Sequence, residues 1–516
     1  MKRIFIGLLI FLFLGNISKA EEQTKIVLLA GAKSHGPGHH EYIKTVRLLK
    51  TMLDNAGIEG LETEIYLNGW PDHPSALEEA DLIFITSDGQ DGDKFSPVPF
   101  MTDERMKIIE KQIDRGCGLF TYHFSTFAPD KYGPQILNWV GAYFDWQDET
   151  GARNWYSAIE TLESDLKLYN KKHPVLNGVE PFRLKDEFYY NLRFAEKDQE
   201  VTPLLGVPEL KSKRKKGEVV AWAVERENGY RGFGTSTGHF FSNWTDENYR
   251  KMMLNAILWT AGREIPEDGI TSPFYSRDQV SRHLFGTETL GLILTGHHHP
   301  GHIWEETSGA IEKIFNQSGN IHVDISTEIE DLKEYELDDY DFLVLNYVNW
   351  KQPTGLSEKS KQAFTNYIKN GGGLILIHFS NGAWHSSLPE AAESDWPEYR
   401  NLCLRVWDHN NGSAHDKYGD FEVNVTEINH PITKGVEDFG TTDELYYNQV
   451  GDEPITPLLT ALSKDTGKNE PLAWVHQYGE GKIFQTLLGH GVSSFIAPEF
   501  QEVLVNAAHW VSGESK

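Results

Sequence analysis

Histidine and acidic side chains recur at matched places in this 516-residue sequence. Imidazole and carboxylate together suit two kinds of chemistry, binding a divalent metal or moving protons near neutral pH. His378 closes the run Gly371-Gly372-Gly373-Leu374-Ile375-Leu376-Ile377, and His123 closes the related run Gly116-Cys117-Gly118-Leu119-Phe120-Thr121-Tyr122. Asp443-Glu444 answers Asp186-Glu187, and Gly489-His490 answers Gly238-His239. Two histidine-rich loops, His297-His298-His299-Pro300-Gly301-His302 and Ser34-His35-Gly36-Pro37-Gly38-His39-His40, each follow a short apolar run. A single histidine at the end of such a run is most often only hydrogen-bonded, and inherited packing also preserves positions. Four at matched places favour a site. The second set is the richer, since fourteen of the 21 histidines follow residue 263. Trp407-Asp408-His409 and His415-Asp416 belong to it, whereas no histidine lies between His123 and His173. The second half is therefore read as the active one, and the first as a degenerate or binding partner.

Such groups need a rigid frame, and the hydrophobic pattern supplies one. Lys25–Gly31 and Asp81–Ser87 are short continuous apolar runs, as expected of strands buried on both faces. Tyr42, Val46, Leu49 and Leu53 follow at helical spacing, and Thr102 reads as the N-cap of a second helix that Gly116 stops. The second half repeats this with strands at 290–295, 341–347 and 374–378 and helices near 307–316 and 357–370. Matched motifs in the same order, offset by 251–257 residues, mean two tandem domains rather than a solenoid. The reading is α/β: two tandem doubly wound parallel-sheet domains at 21–262 and 286–516, joined by a linker at 263–285. In such sheets the site lies beyond the carboxyl ends of the strands, which is where the histidines fall.

Residues 1–20, with Lys2-Arg3, an apolar run to Leu14 and Ser18-Lys19-Ala20, read as a signal peptide. Export to the periplasm or beyond is the expectation, away from cytosolic ATP and NAD. No later stretch is apolar for long enough to cross a membrane, so no membrane insertion is expected. A formal charge of −28 argues against nucleic-acid partners, and the basic run Lys211–Lys216 reads as a solvated loop. Cys117 and Cys403 cannot build a disulfide framework. Cys117 also sits six residues before His123, roughly 20 Å away along a strand. Gly234-Thr235-Ser236-Thr237-Gly238 matches a nucleophile-elbow pattern but lies in a strand-like run without the required turn into a helix. No dinucleotide or P-loop fingerprint is complete, so no nucleotide cofactor is expected.

Four further segments resemble one family. They are the run at 371–378; His430-Pro431-Ile432-Thr433 with Asp443-Glu444-Leu445-Tyr446; Pro471-Leu472-Ala473-Trp474; and Gly479–Phe484 running into Leu488-Gly489-His490. Together they are similar to the ThuA-like (trehalose utilisation) family across nearly all of the second copy and, more loosely, the first. The resemblance implies a flavodoxin-like sandwich, close to class I glutamine amidotransferases, and a link to carbohydrate catabolism. It does not imply amidotransferase activity, because the strand that would present a nucleophilic cysteine ends in His378. The expected function is an enzyme acting on a free or oxidised saccharide by hydrolysis, elimination or isomerisation. His378 and Glu444 form its acid–base pair. His302, His415 and His490 bind substrate hydroxyls or a divalent metal, zinc or manganese, with Asp416, Asp443, Tyr446 and Trp474 on the substrate side. The alternative is a non-catalytic carbohydrate-binding protein of a polysaccharide-utilisation system.

Overall fold

The computed structural model describes residues 23–513 except positions 32–33, 36–37, 68, 72, 90–99, 149, 197–200, 227, 297–298 and 334–336. The signal-peptide reading and the pair His297-His298 lie outside the described residues. By internal contacts the chain divides into two compact units. The first holds residues up to 32, 52–238 and 243–273; the second holds 33–51, 239–242 and 274–516. Residues 277–285 of the segment read as a linker form a helix, Arg277–Phe285, opened by a Ser276/Gln279 capping box. Only Ser281 of it is buried, so it gives no apolar periodicity to read.

Alternating side chains decide the frame of the second copy. All seven residues of Leu290–Gly296 are buried. Ile293 packs with Phe315, Val344, Ile375 and Val503 on one face; Leu292 and Leu294 join Leu343, Leu374 and Ile368 on the other. A strand apolar on both faces requires cover on both. Trp304–Gln317 and Pro498–Val511 give one cover, and Glu358–Lys369 the other. The helix Glu358–Lys369 starts where the sequence places it, with the Ser357 hydroxyl accepting from the Ser360 amide.

Five strands run parallel in the order His322–Ser326, Leu290–Gly296, Phe342–Tyr347, Gly373–Ile377, Gly481–Thr486. The first copy has the same arrangement in Leu61–Tyr66, Thr24–Ala30, Leu82–Thr86, Gly118–Tyr122 and Arg231–Thr235. The doubly wound parallel sheet expected from the sequence is thus present twice. Each continues into an antiparallel extension that the sequence reading did not include, built in copy two from Asn469–Tyr478, Pro457–Leu462, Gly419–Val425 and Phe439–Asp443. These strands are only partly buried, so no continuous apolar run announces them. No described helix is long and apolar enough to cross a membrane.

Two histidines remote from the site lead us to expect an acid-sensitive fold. Burial holds His173 and His476 down to about 4; the His476 Nε2–H donates to the Leu402 carbonyl. A histidine depressed in the folded state favours folding above its unfolded pKa of about 6.5 and loses that contribution as pH falls towards the folded value. The urea midpoint is therefore expected to drop between pH 6.5 and 4, and His476→Gln to flatten part of that slope.

Candidate functional site

The strand Gly373–Ile377 ends in a turn that aims His378 off the strand line. His378 has φ 45°, a left-handed backbone uncommon outside glycine, and His123 repeats it at 48°. The His378 ring is buried, with Nδ1 2.7 Å from the Leu487 carbonyl. A carbonyl only accepts, so Nδ1 carries the proton and Nε2 is left as an acceptor, taking the Tyr446 hydroxyl at 2.8 Å. Burial pushes His378 down to about 3, so the ring is neutral. In copy one His123 repeats both bonds, to the Ser236 carbonyl at 2.7 Å and the Tyr189 hydroxyl at 2.9 Å.

Glu444 and His490 reach the same point through Asp443. The buried Asp443 carboxylate accepts from the amides of Glu444 at 2.7 Å, Gly489 at 2.8 Å and His490 at 3.2 Å. Gly489 has φ 129°, and a Cβ there would stand 2.7 Å from Ile377, so only glycine brings the His490 loop this close. Glu444 Oε2 then lies 3.1 Å from His490 Nδ1 and 3.9 Å from His378 Nε2. The contact with His490 is close but poorly angled, leaving its buried Nδ1 without a well-formed hydrogen bond. Burial acts to raise the Glu444 carboxyl, but His490, His378 and His415 outweigh it and hold it below the usual glutamate range. For His490 burial acts downward, and the acids Glu444 and Asp443 carry it above the usual imidazole value.

His302 completes the group, its ring centroid 5.0 Å from that of His378 and 4.7 Å from that of His490. It stacks on Phe379, and its buried Nδ1 has no hydrogen-bond partner. Burial, with three imidazoles around it, holds its pKa far below normal. One ligand atom from each of His302, His378, Glu444 and His490 lies within 4.8 Å of every other. This His/carboxylate group has the composition to hold a metal ion. Beside it a cavity of about 30 Å³, lined by His299, His302, Asn346, His378 and Phe379, has room for one water but not for a sugar.

Several sequence-derived assignments change. His415 is outside the four-donor group: Nδ1 is taken by the Asp416 carbonyl, and Nε2 stays 3.6 Å from Glu444 Oε1. His378 and Glu444, read as an acid–base pair, join His302 and His490 in its place. Asp443 faces no substrate, because three backbone amides occupy its oxygens. Asp416 instead holds the turn at Ser463, Lys464 and Asp465. Trp474 is fully buried in the core. Tyr446 is buried as well; its hydroxyl donates to His378 and its ring packs on the imidazole at 4.4 Å between centroids. The discarded nucleophiles stay discarded. Burial raises the Cys117 thiol to about 12, and the buried Ser236 hydroxyl donates to the Tyr189 carbonyl. Sequence reasoning gave no role to His299, 4.3 Å from His302 between ring centroids, or to His409, and missed Trp350, on which both pack. Trp350 lies just beyond the carboxyl end of Phe342–Tyr347, so the strand-end rule applied to that strand would have found it.

A family model for trehalose utilisation, ThuA, matches residues 27–260 and again 292–511. The chain belongs to the ThuA family. Its two matches make it a tandem duplication within that family. Among solved structures it is similar to a ThuA-like protein from Parabacteroides merdae at 24% identity over 44% of this chain and 91% of that one, TM-score 0.38. A ThuA-like protein from Bacteroides uniformis is 20% identical over 43% and 91%, TM-score 0.33. A β-galactosidase from Bacillus circulans is 10% identical, over 43% of this chain and 31% of that one, TM-score 0.29. No curated protein matches.

Proposed function

We propose that this ThuA-family chain is an exported carbohydrate-catabolism enzyme whose second copy works through a metal held by His302, His378, Glu444 and His490. One observation supports this most. Four potential ligands from four separate stretches converge, and His302 and His490 each keep a buried ring nitrogen with no well-formed hydrogen bond. Three imidazoles and one carboxylate suit zinc or manganese. Such an ion would supply Lewis-acid polarisation of a saccharide oxygen or an activated water.

The protein's own groups have defined parts. The Leu487 carbonyl fixes the His378 tautomer, so that Nε2 faces inward with its lone pair. Tyr446 holds that lone pair through its hydroxyl and yields it to a ligand or proton. Glu444, kept ionised by the imidazoles around it, would supply the anionic ligand, and His490, 3.1 Å from it, would give up its proton to bind as a neutral imidazole. His415, half-exposed and 3.6 Å from the other Glu444 oxygen, connects that carboxylate to solvent. With the inner cavity too small for a sugar, we put the sugar outside it, with Trp350, which packs on His299 and His409, and the exposed Tyr418, which packs on His490, as its aromatic contacts.

Elemental analysis of the purified chain tests the reading, together with turnover of a panel of neutral and oxidised saccharides before and after chelation. Stoichiometric zinc or manganese, with activity lost on chelation and restored by the ion, is the expected result. A metal-free chain that binds a sugar but turns none over would establish the binding-protein alternative.

A further inference from the structure

The basic run that the sequence presents as a loop in solvent is tied into a platform. Asn191, with φ 54°, accepts the Trp155 indole N–H at its backbone carbonyl and the Ser212 hydroxyl at its side-chain oxygen. Ser212 in turn accepts from the Arg214 amide. This fixes the loop 211–216 beside Trp155-Tyr156. The Arg214 guanidinium then lies 3.5 Å from the centre of the Tyr156 ring, and that of Arg153 lies 5.5 Å from it. Tyr156 is 48% exposed, so the assembly faces water.

Both guanidinia lack a carboxylate partner among the described residues. The neighbouring acids are engaged elsewhere. Asp145 is buried against Arg193, and one Asp148 oxygen accepts from Thr150 and Ala152 in its own turn. In a chain of formal charge −28, two unpaired arginines held on one aromatic ring are an anion-selective feature. Arg153 also lines an open groove of about 380 Å³ with Phe127, Phe144, Trp146, Ser157 and Ile159. That volume falls within the range of about 300–1,000 Å³ usual for small-molecule pockets. Phe127 and Phe144 stack at 4.0 Å, and Trp146 meets both edge-on. An aromatic wall beside a cationic rim fits a pyranose ring bearing an acid group.

We infer that this face of the first unit is a binding site for acidic oligosaccharides, specifically carboxylated (uronate) sugars, whose rings lie in the Trp146 groove with their carboxylates on Arg153 and Arg214. The choice of carboxylate follows from the planar guanidinium fork, which takes that group through two parallel hydrogen bonds. The inference rests on the saccharide reading above for its ligand class, but not on a metal or on turnover.

Calorimetric titration of the purified chain with a galacturonate trisaccharide tests it, beside a neutral galactose trisaccharide and a sulfated trisaccharide. Binding of the uronate alone is expected, weakened by salt and retained after chelation. Arg153→Ala with Arg214→Ala should lower affinity at least tenfold while leaving metal content unchanged, and Trp146→Ala should also lower it. All three side chains are at least partly exposed, so folding is not at stake. Equal binding by the double arginine variant, equal binding of the neutral or sulfated sugar, loss on chelation, or no binding at all would each overturn the inference. The metal reading stands or falls separately, on elemental analysis.

Discussion

Glu444→Gln is expected to lower the affinity of the purified chain for zinc or manganese by two orders of magnitude or more while leaving the fold intact. The substitution keeps the shape and removes the one anion that His378, His415 and His490 share. Disturbing groups that merely support a metal ligand already costs about 10–100-fold, so loss of the charged ligand itself should exceed that range. Any proton transfer that Glu444 performs would cost a further 10²–10⁴-fold or so in turnover. Glu444 is largely buried but supports no backbone turn, so thermal unfolding should move little. The pKa of His490 should fall, because Glu444 is the stronger of the two acids raising it; NMR titration of the imidazole reads this directly. Unchanged metal content in the variant would remove Glu444 from the site.

Asp443→Ala should damage the same site through the fold. Its carboxylate accepts from three backbone amides, and burial raises its own pKa to about 6. An unpaired buried donor costs roughly 1–3 kcal/mol, and removing a desolvated acid returns part of the loss, so a net destabilisation of about 3 kcal/mol is expected. Asp443→Asn keeps one acceptor oxygen and should cost about half as much. Urea unfolding gives both values, and metal affinity should fall in parallel because the amides of Glu444 and His490 lose their common anchor. A loss of metal without any change in unfolding would mean that Asp443 acts chemically rather than by positioning.

The contrast between Asp443 and Glu444 shows how far sequence reasoning reaches into this site. The two acids are adjacent and recur together in both copies, so pattern alone gives them one weight. Strand Phe439–Asp443 ends between them, and one carboxylate turns into the core while the other turns out to the histidines. Trp474 teaches the same lesson. Its place in the Pro471–Trp474 motif comes from filling the core, and type and spacing do not separate such a tryptophan from one that stacks on sugar. The Lys211–Lys216 run is largely exposed, as its composition suggests, and only tertiary contacts with Asn191 and Tyr156 fix where it lies.

The sequence by itself determined the duplication, the parallel strands, their covering helices and the strand ends at which the histidines gather. Those features follow from local periodicity and from apolar runs that bury both faces. Tertiary structure alone decided which imidazoles share one point. Donor geometry depends on backbone torsions such as the left-handed His378 and on approaches such as Gly489 to Ile377, and these join residues more than a hundred positions apart.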